Sequence, residues 1–372
     1  MPRPCVVVPG ILGTSLENIY PVRPETTWSA WEAAEVEIAG GVDLPELMLT
    51  DDGEADAADH VVTRAGALLP IAYLAIVRAL RGRLKTPVYV FPYDWRLPTA
   101  VNARRLARFV RGLRRKPMAS VPGWDGTVDF VAHSLGGMIV RAFLDAWTAL
   151  DGTPPPVGRV AFVATAHRGS LDAVEAMVRG ETLFLGGRKE LRKLARTFPS
   201  VYELLPTHPA LVDAHGVDLD VFDAASWQTS VTVATPDPVR PAHLARARAF
   251  LASLPAPSEA LCVFGNRPDS TMRRLAVVDR GGERWFDFDG AERGDGDEVV
   301  PVASARLPGA PSVEVAWSDV SYFALKARHV SMHAFLLTLD EVQTIVCRYL
   351  AGLDGAALLP RGMPATRYLP PQ

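Results

Sequence analysis

Short, predominantly apolar runs recur along the chain and alternate with longer segments whose apolar positions fall at helical spacing. The runs are Cys5 to Val8, Val88 to Phe91, Val128 to Val131, Val160 to Ala164, Leu261 to Phe264 and Val313 to Ala316. A strand apolar on both of its faces is one buried on both faces. Helical patterns lie between these runs at about 71–82, 99–115, 136–150, 242–254 and 332–351. Alternation of this kind predicts a mainly parallel sheet with helices on both faces, an α/β fold.

Two segments break the rhythm: 14–68, with the acidic stretch Asp51 to Asp59, and 168–240. Insertions at the carboxyl edge of a parallel sheet commonly become caps or lids that shape a pocket. The expected organisation is thus one domain over 1–352 carrying an early cap segment at 14–68 and a lid at 168–240. Residues 353–372, rich in Pro and Gly, are expected to form an extended tail. Pro154, Pro155 and Pro156 mark a stiff loop between an element and the next strand rather than a domain boundary.

At 372 residues, with 48% hydrophobic and 22% charged positions, the chain has material for a large core and is not of disordered composition. A net charge of -3 sets up no field that would recruit nucleic acid, and no basic nucleic-acid motif is present. The three cysteines, Cys5, Cys262 and Cys347, are far apart and lie in apolar runs, so buried thiols are expected rather than a disulfide framework. The first strand begins within a few residues of Met1, which leaves no room for the apolar region of a signal peptide. No apolar run approaches the roughly 20 residues that span a bilayer. The expected location is cytoplasmic.

The candidate chemistry starts at Val128-Asp129-Phe130-Val131-Ala132-His133-Ser134-Leu135-Gly136-Gly137, where an apolar strand enters a turn of small residues with one serine at its apex. An apolar stripe of Met138, Ile139, Val140, Ala142, Phe143, Leu144 and Trp147 follows and reads as a buried helix. Strand, turn and helix stand in the order of a nucleophile elbow, in which the serine hydroxyl is exposed at a strained corner. Ala132 occupies the first glycine position of the usual G-x-S-x-G pattern. The same serine would sit at the carboxyl end of the sheet, where open α/β folds bind ligands.

A serine hydroxyl needs a base to take its proton and an acid to orient that base. Of the eight histidines, His329 suits the order nucleophile, acid, histidine, because it follows the last strand and precedes the final helix. His333, one helical turn on, is its rival; a zinc pair made of the two is disfavoured by the missing H-E-x-x-H pattern. His133 is read as structural, and His167 as either a pocket residue or a loop hydrogen-bonding group. The acid is expected in Gly294-Asp295-Gly296-Asp297-Glu298-Val299-Val300-Pro301, with Asp297 preferred over Asp295 because an apolar stop follows it. These acids lack the ligand spacing of a twelve-residue calcium loop. The backbone N–H of Leu135 is one oxyanion donor, and the loop Pro9-Gly10-Ile11-Leu12-Gly13 is the candidate for the second.

Taken together, Val7 to Gly13, Phe91-Pro92-Tyr93-Asp94-Trp95-Arg96-Leu97, the elbow, the acid loop, and His329 with Met332 resemble the lecithin-cholesterol acyltransferase and lysosomal phospholipase A2 family and its bacterial lipase-like relatives. Phe198-Pro199-Ser200 with Leu204-Leu205-Pro206 is similar to that family's lid-proximal segment. The resemblance implies an α/β-hydrolase with an inserted cap or lid. It implies Ser134 as nucleophile, Asp297 as orienting acid, His329 as base and then acid, and the N–H groups of Ile11 and Leu135 as the oxyanion hole. Asp94 and Arg96 would be a buried pair.

The expected function is a serine-dependent acyl-ester hydrolase or O-acyltransferase of lipase or esterase type, acting on a lipid or other apolar carboxylic ester. No metal or organic cofactor is needed. An acceptor alcohol and transient contact with a membrane surface are the expected partners. Trp28 and Trp31 in the early insertion, and a basic face of Lys189, Arg192, Lys193 and Arg196, are candidates for that contact, against the plainer readings of inward packing and a solvated helix face. The alternative class is a non-catalytic protein of the same fold that binds a ligand or partner.

Overall fold

A computed structural model describes residues 3–29, 44–115, 124–180, 191–317, 331–360 and 366–372 of the chain. The six apolar runs form the strands β1 (Cys5–Val8), β5 (Val88–Val90), β6 (Val128–His133), β7 (Val157–Val163), β10 (Ala260–Arg280) and β13 (Ser312–Ala316). In space they lie in the order β13-β10-β7-β6-β1-β5, and every adjacent pair in that path is parallel. This is the mainly parallel α/β arrangement expected from the alternating pattern, and it accords with the hydrolase fold that the resemblance implies.

Alternate residues of each strand feed opposite faces, which is why the inner strands are apolar at most positions. Val6, Val8, Phe130, Ala132 and Phe162 face one core, with Leu106 and Val110 of the helix Thr99–Arg114 and Met138 and Phe143 of the helix Leu135–Asp151. Cys5, Val7, Val131, Ala161 and Val163 face the other, with Ile76 and Leu80 of the helix Pro70–Leu84 and Ile345 and Val346 of the helix Asp340–Leu350. Pro70 opens its helix at a position where the missing N–H costs nothing, and Gly152, at φ 69°, closes the helix Leu135–Asp151.

The early insertion is itself ordered: β2 (Thr14–Asn18), β3 (Glu25–Trp28) and β4 (Thr63–Leu68) make a three-stranded antiparallel sheet in the order β3-β2-β4. Arg96 is one of its attachments to the body. That guanidinium is 0% exposed and donates to both carboxylate oxygens of Asp94, at 3.0 and 2.8 Å. It also reaches Asp56 Oδ1 at 2.8 Å and the carbonyl of Leu47 at 3.0 Å. The pairing expected of Asp94 and Arg96 is present, and Asp56 is a third member that the sequence did not suggest. Trp28 packs inward, edge-on to Trp95 with ring centroids 5.6 Å apart; Trp31 lies outside the described residues.

The second insertion contributes the helices Asp172–Val178, Leu191–Thr197 and Pro199–Tyr202 and the short strands β8 (Leu211–Val212) and β9 (Asp218–Leu219). It touches the first insertion, with Leu49 N–H donating to Thr197 Oγ1 at 3.4 Å and Arg240 to the Thr50 carbonyl at 2.9 Å. Arg196 is not on a solvated basic face. It is 2% exposed and donates to the carbonyls of Met177 at 2.7 Å and Asp237 at 2.8 Å; Lys189 lies outside the described residues.

Three features depart from the sequence expectations. β10 runs far past Phe264, to Arg280, and its polar half pairs with β8, with β11 (Glu283–Phe286) and with β12 (Glu292–Gly296). The pattern over 332–351 is not one helix but a turn at Met332–Phe335, a 3-10 turn at Leu336–Thr338 and the helix Asp340–Leu350. The end of the chain is more than a tail: β14 (Thr366–Leu369) pairs antiparallel with β13, Val313 opposite Tyr368, and covers that edge of the sheet.

Candidate active site

Ser134 stands between β6 and the helix Leu135–Asp151 with φ 52° and ψ −126°, a conformation that a non-glycine residue adopts only when its surroundings impose it. What imposes it is close packing. A Cβ on Gly136 would come within 2.4 Å of the carbonyl oxygens of both Val8 and Pro9, and one on Gly10 within 2.9 Å of Ser134 Cβ. Only glycine lets the start of the elbow helix and the loop after β1 approach one another this closely. Ala132, in place of the usual first glycine, fits in the buried strand.

The imidazole that meets Ser134 belongs to His333. Its Nε2 lies 2.9 Å from Ser134 Oγ, and its Nδ1 lies 2.9 Å from Asp297 Oδ2. His329, preferred from the sequence, lies outside the described residues, and the geometry assigns these two contacts to the rival position. The reason is local. Ser331 caps the turn Met332–Phe335, accepting from the Ala334 N–H at 3.3 Å, so His333 falls in the first turn at the mouth of the sheet rather than in the interior of a long helix. The serine just before Met332 is the signal in the sequence that could have marked it.

Asp297 is the carboxylate that meets this imidazole, and Asp295 is exposed. The second oxygen of Asp297 accepts from the N–H groups of Val300 at 2.7 Å and Val299 at 3.2 Å, so the whole carboxylate is occupied and aimed. The loop around it is tied on every side. Ser170 Oγ donates to the Val299 carbonyl, and Ser304 Oγ to the Gly169 carbonyl at 2.7 Å. Glu298, at φ 80°, accepts from the Met332 N–H at 2.8 Å and donates its own N–H to Thr271 Oγ1 at 2.9 Å. Glu298 therefore joins the acid loop to the histidine turn, a role with no motif to announce it.

The expected oxyanion donors lie on the two elements that flank the serine. Leu135 is the first residue of the elbow helix, where an N–H has no acceptor within its own helix. Ile11 lies in the loop after β1, and Gly10 of that loop packs against Ser134. His133 is turned away from the nucleophile, with Nδ1 2.8 Å from Tyr73 Oη and Nε2 3.0 Å from the His333 carbonyl oxygen. Burial, reinforced by the neighbouring His333, pushes its pKa down to about 3, so it is neutral at physiological pH. His167 is buried edge-on to Phe162 with its Nε2 3.7 Å from Cys262 Sγ; burial followed by the charge of Arg141 holds its pKa well below the ordinary value.

All three cysteines are free and buried. Among the described residues no cluster of three or more His, Cys, Asp or Glu side chains could hold a metal ion, and no helix is long and apolar enough to cross a membrane. A cleft of about 1100 Å³ opens behind the acid loop, lined by Arg168, Arg293, Asp295 and Arg306 among others. None of Ser134, Asp297 and His333 lines it.

Comparison with known proteins places the same residues in a family context. Residues 82–240, which include the Tyr93-Asp94-Trp95-Arg96 block and the elbow, match the family described as lecithin:cholesterol acyltransferase. The resemblance carried by the motifs is therefore present in the sequence as a whole over that span. No curated protein matches the chain. Among solved structures, the Tle4–Tli4 complex contains a chain similar at a TM-score of 0.59 and 17% identity, covering 95% of this chain and 99% of that one. This likeness shows the fold. The lin2722 product of Listeria innocua (TM-score 0.36, 11% identity, 96% of both chains) and phospholipase PlaB of Legionella pneumophila in complex with thio-NAD (TM-score 0.23, 14% identity, 81% of this chain and 63% of that one) are more distant.

Proposed function

We propose that this chain is a serine-dependent acyl-ester hydrolase or O-acyltransferase of lipase or esterase type. The observation that carries the reading is the continuous hydrogen-bonded line from Ser134 Oγ through both ring nitrogens of His333 to Asp297. In the proposed reaction Ser134 Oγ attacks the ester carbonyl while His333 Nε2 takes its proton. Asp297 holds Nδ1 protonated and stabilises the imidazolium as it forms. The N–H groups of Leu135 and Ile11 receive the negative charge of the tetrahedral oxygen. His333 then protonates the departing alkoxide, leaving an acyl-Ser134 ester. Water or an acceptor alcohol, deprotonated by the same imidazole, releases the acyl group.

A lipid or other apolar carboxylic ester is the proposed substrate, supported by the match to the lecithin:cholesterol acyltransferase family over 82–240. The proposed location is the cytoplasm, which suits three free, buried thiols. The mechanism calls on no metal or organic cofactor.

Turnover of a panel of p-nitrophenyl esters and phospholipids, with and without a long-chain alcohol, tests the reading. Ser134→Ala, His333→Ala and Asp297→Asn are each expected to lower kcat by about a thousandfold or more, and Ser134→Ala to abolish labelling by a fluorophosphonate. His329→Ala is expected to retain most activity. Full activity in His333→Ala together with loss in His329→Ala would overturn the assignment of the base. Failure of folded wild type to label would favour the non-catalytic binding protein instead.

A further inference from the structure

The line of contacts at the nucleophile does not stop at Asp297, because the backbone of His333 is engaged as well as its ring. A carbonyl can only accept, so His133 Nε2 must donate to the His333 carbonyl, 3.0 Å away. In a neutral imidazole Nδ1 is then the acceptor. Its partner is Tyr73 Oη at 2.8 Å, which must therefore be the donor. The same hydroxyl oxygen accepts from the Gly10 N–H at 2.8 Å. Every proton in the chain Gly10 to Tyr73 to His133 to His333 is thus assigned by elimination.

Gly10 N–H belongs to the peptide unit that also contains the Pro9 carbonyl, and that carbonyl accepts from Tyr93 Oη at 2.8 Å. One peptide plane is accordingly clamped at both edges by buried tyrosines. The next unit is fixed too, since the Gly10 carbonyl accepts from the Gly13 N–H at 3.1 Å. That carbonyl and the Ile11 N–H are opposite ends of one rigid plane, so fixing the first aims the second.

We infer that Tyr73 and His133 are positioning residues that lock the loop after β1 to the backbone of the catalytic histidine, so that the Ile11 N–H is held toward Ser134 before substrate arrives. The inference rests on the catalytic reading above and deepens it. His133 touches no reacting atom in this scheme, and neither does Tyr73. Their effect is to keep an oxyanion donor and a base in one frame, so that neither has to reorganise as charge develops. Burial keeps the imidazole of His133 neutral, as the proton assignment requires; it also holds the Tyr73 phenol well above its usual range, so the hydroxyl stays a donor.

Tyr73→Phe keeps the ring and removes the bridging oxygen. It is expected to lower kcat about ten- to a hundredfold while KM changes by less than about threefold, since the lost alignment acts on the transition state. His133→Asn is expected to do the same. In the double variant the two losses should not multiply, because either substitution breaks the same chain. Multiplying effects, or a change confined to KM, would overturn the coupling. Long-range proton–nitrogen spectra of folded wild type provide a test free of any substrate. They should show His133 protonated on Nε2 alone throughout the neutral range, and a ring protonated on Nδ1 would overturn the proposal. If wild type turned over no ester, the function would fail while the spectrum still decided the proton assignment.

Discussion

Gly136→Ala tests the packing that the site depends on. The added Cβ would meet two backbone oxygens, those of Val8 and Pro9, at 2.4 Å, about 1 Å inside ordinary contact. Neither is the movable end of a side chain. Relief must come from separating the start of the elbow helix from the loop after β1, and these two elements carry the proposed oxyanion donors Leu135 and Ile11. Overpacking of this kind costs about 1–3 kcal/mol of stability. A displacement near 1 Å at reacting groups costs about a hundredfold in rate. The expected result is a folded protein with kcat on a p-nitrophenyl ester reduced roughly a hundredfold and fluorophosphonate labelling correspondingly slow. Gly112→Ala is the control: its Cβ meets nothing within 4 Å in an exposed helical position, so it should be neutral or stabilising by about 0.5–1 kcal/mol. Turnover of Gly136→Ala within about threefold of wild type, with denaturant unfolding confirming the native fold, would refute the claim that this contact sets the donor geometry.

Arg96→Met should destabilise the chain by about 3–5 kcal/mol in denaturant unfolding, because it strands the buried Asp94 carboxylate together with Asp56 and the Leu47 carbonyl; a loss below about 1 kcal/mol would count against the role of Arg96 as anchor. Glu203 is buried and caps the helix Thr99–Arg114 by accepting from the Thr99 N–H at 2.8 Å, and burial lifts its pKa from 4.5 to about 7. The folded chain therefore keeps this proton to higher pH than the unfolded chain does. Stability it contributes is complete below about 4.5 and is lost as pH rises through about 7. Glu203→Gln should flatten that decline in melting temperature, and an unchanged pH profile would exclude Glu203 as its source. Truncation after residue 365 removes β14 and exposes the β13 edge, so light scattering on mild heating should report association that full-length protein does not show; an unaltered, monodisperse truncation would show that the edge needs no cover.

The buried strands were legible because double-sided burial makes β1, β6 and β7 predominantly apolar, with polar residues confined to Asp129, His133 and Arg159. β10 was legible only as far as its apolar half. Beyond Gly265 it leaves the two-sided core, and Met272, Leu275 and Val277 are buried among exposed neighbours such as Arg273, a mixed pattern that does not announce a strand. Ser134 and Asp297 were legible because each sits in a motif of small residues whose backbone demands are visible in composition. His333 was not, since two histidines four residues apart satisfy the same chain order and only the position of the Ser331 cap separates them. Tyr73, Asp56 and Glu298 act through contacts between residues distant in sequence, for which no local pattern exists. The tail was misjudged for a related reason: Pro and Gly describe its ends, whereas Thr366–Leu369 acquires strand geometry from its partner β13.

Arg96 ties the early insertion to the body through groups contributed by both. Amide hydrogens of β2 and β4 should then exchange with solvent only at the rate set by opening of the whole protein, and not through separate release of this segment. In cooperative terms the insertion and the core melt as one unit, with a buried guanidinium among the ties that join them.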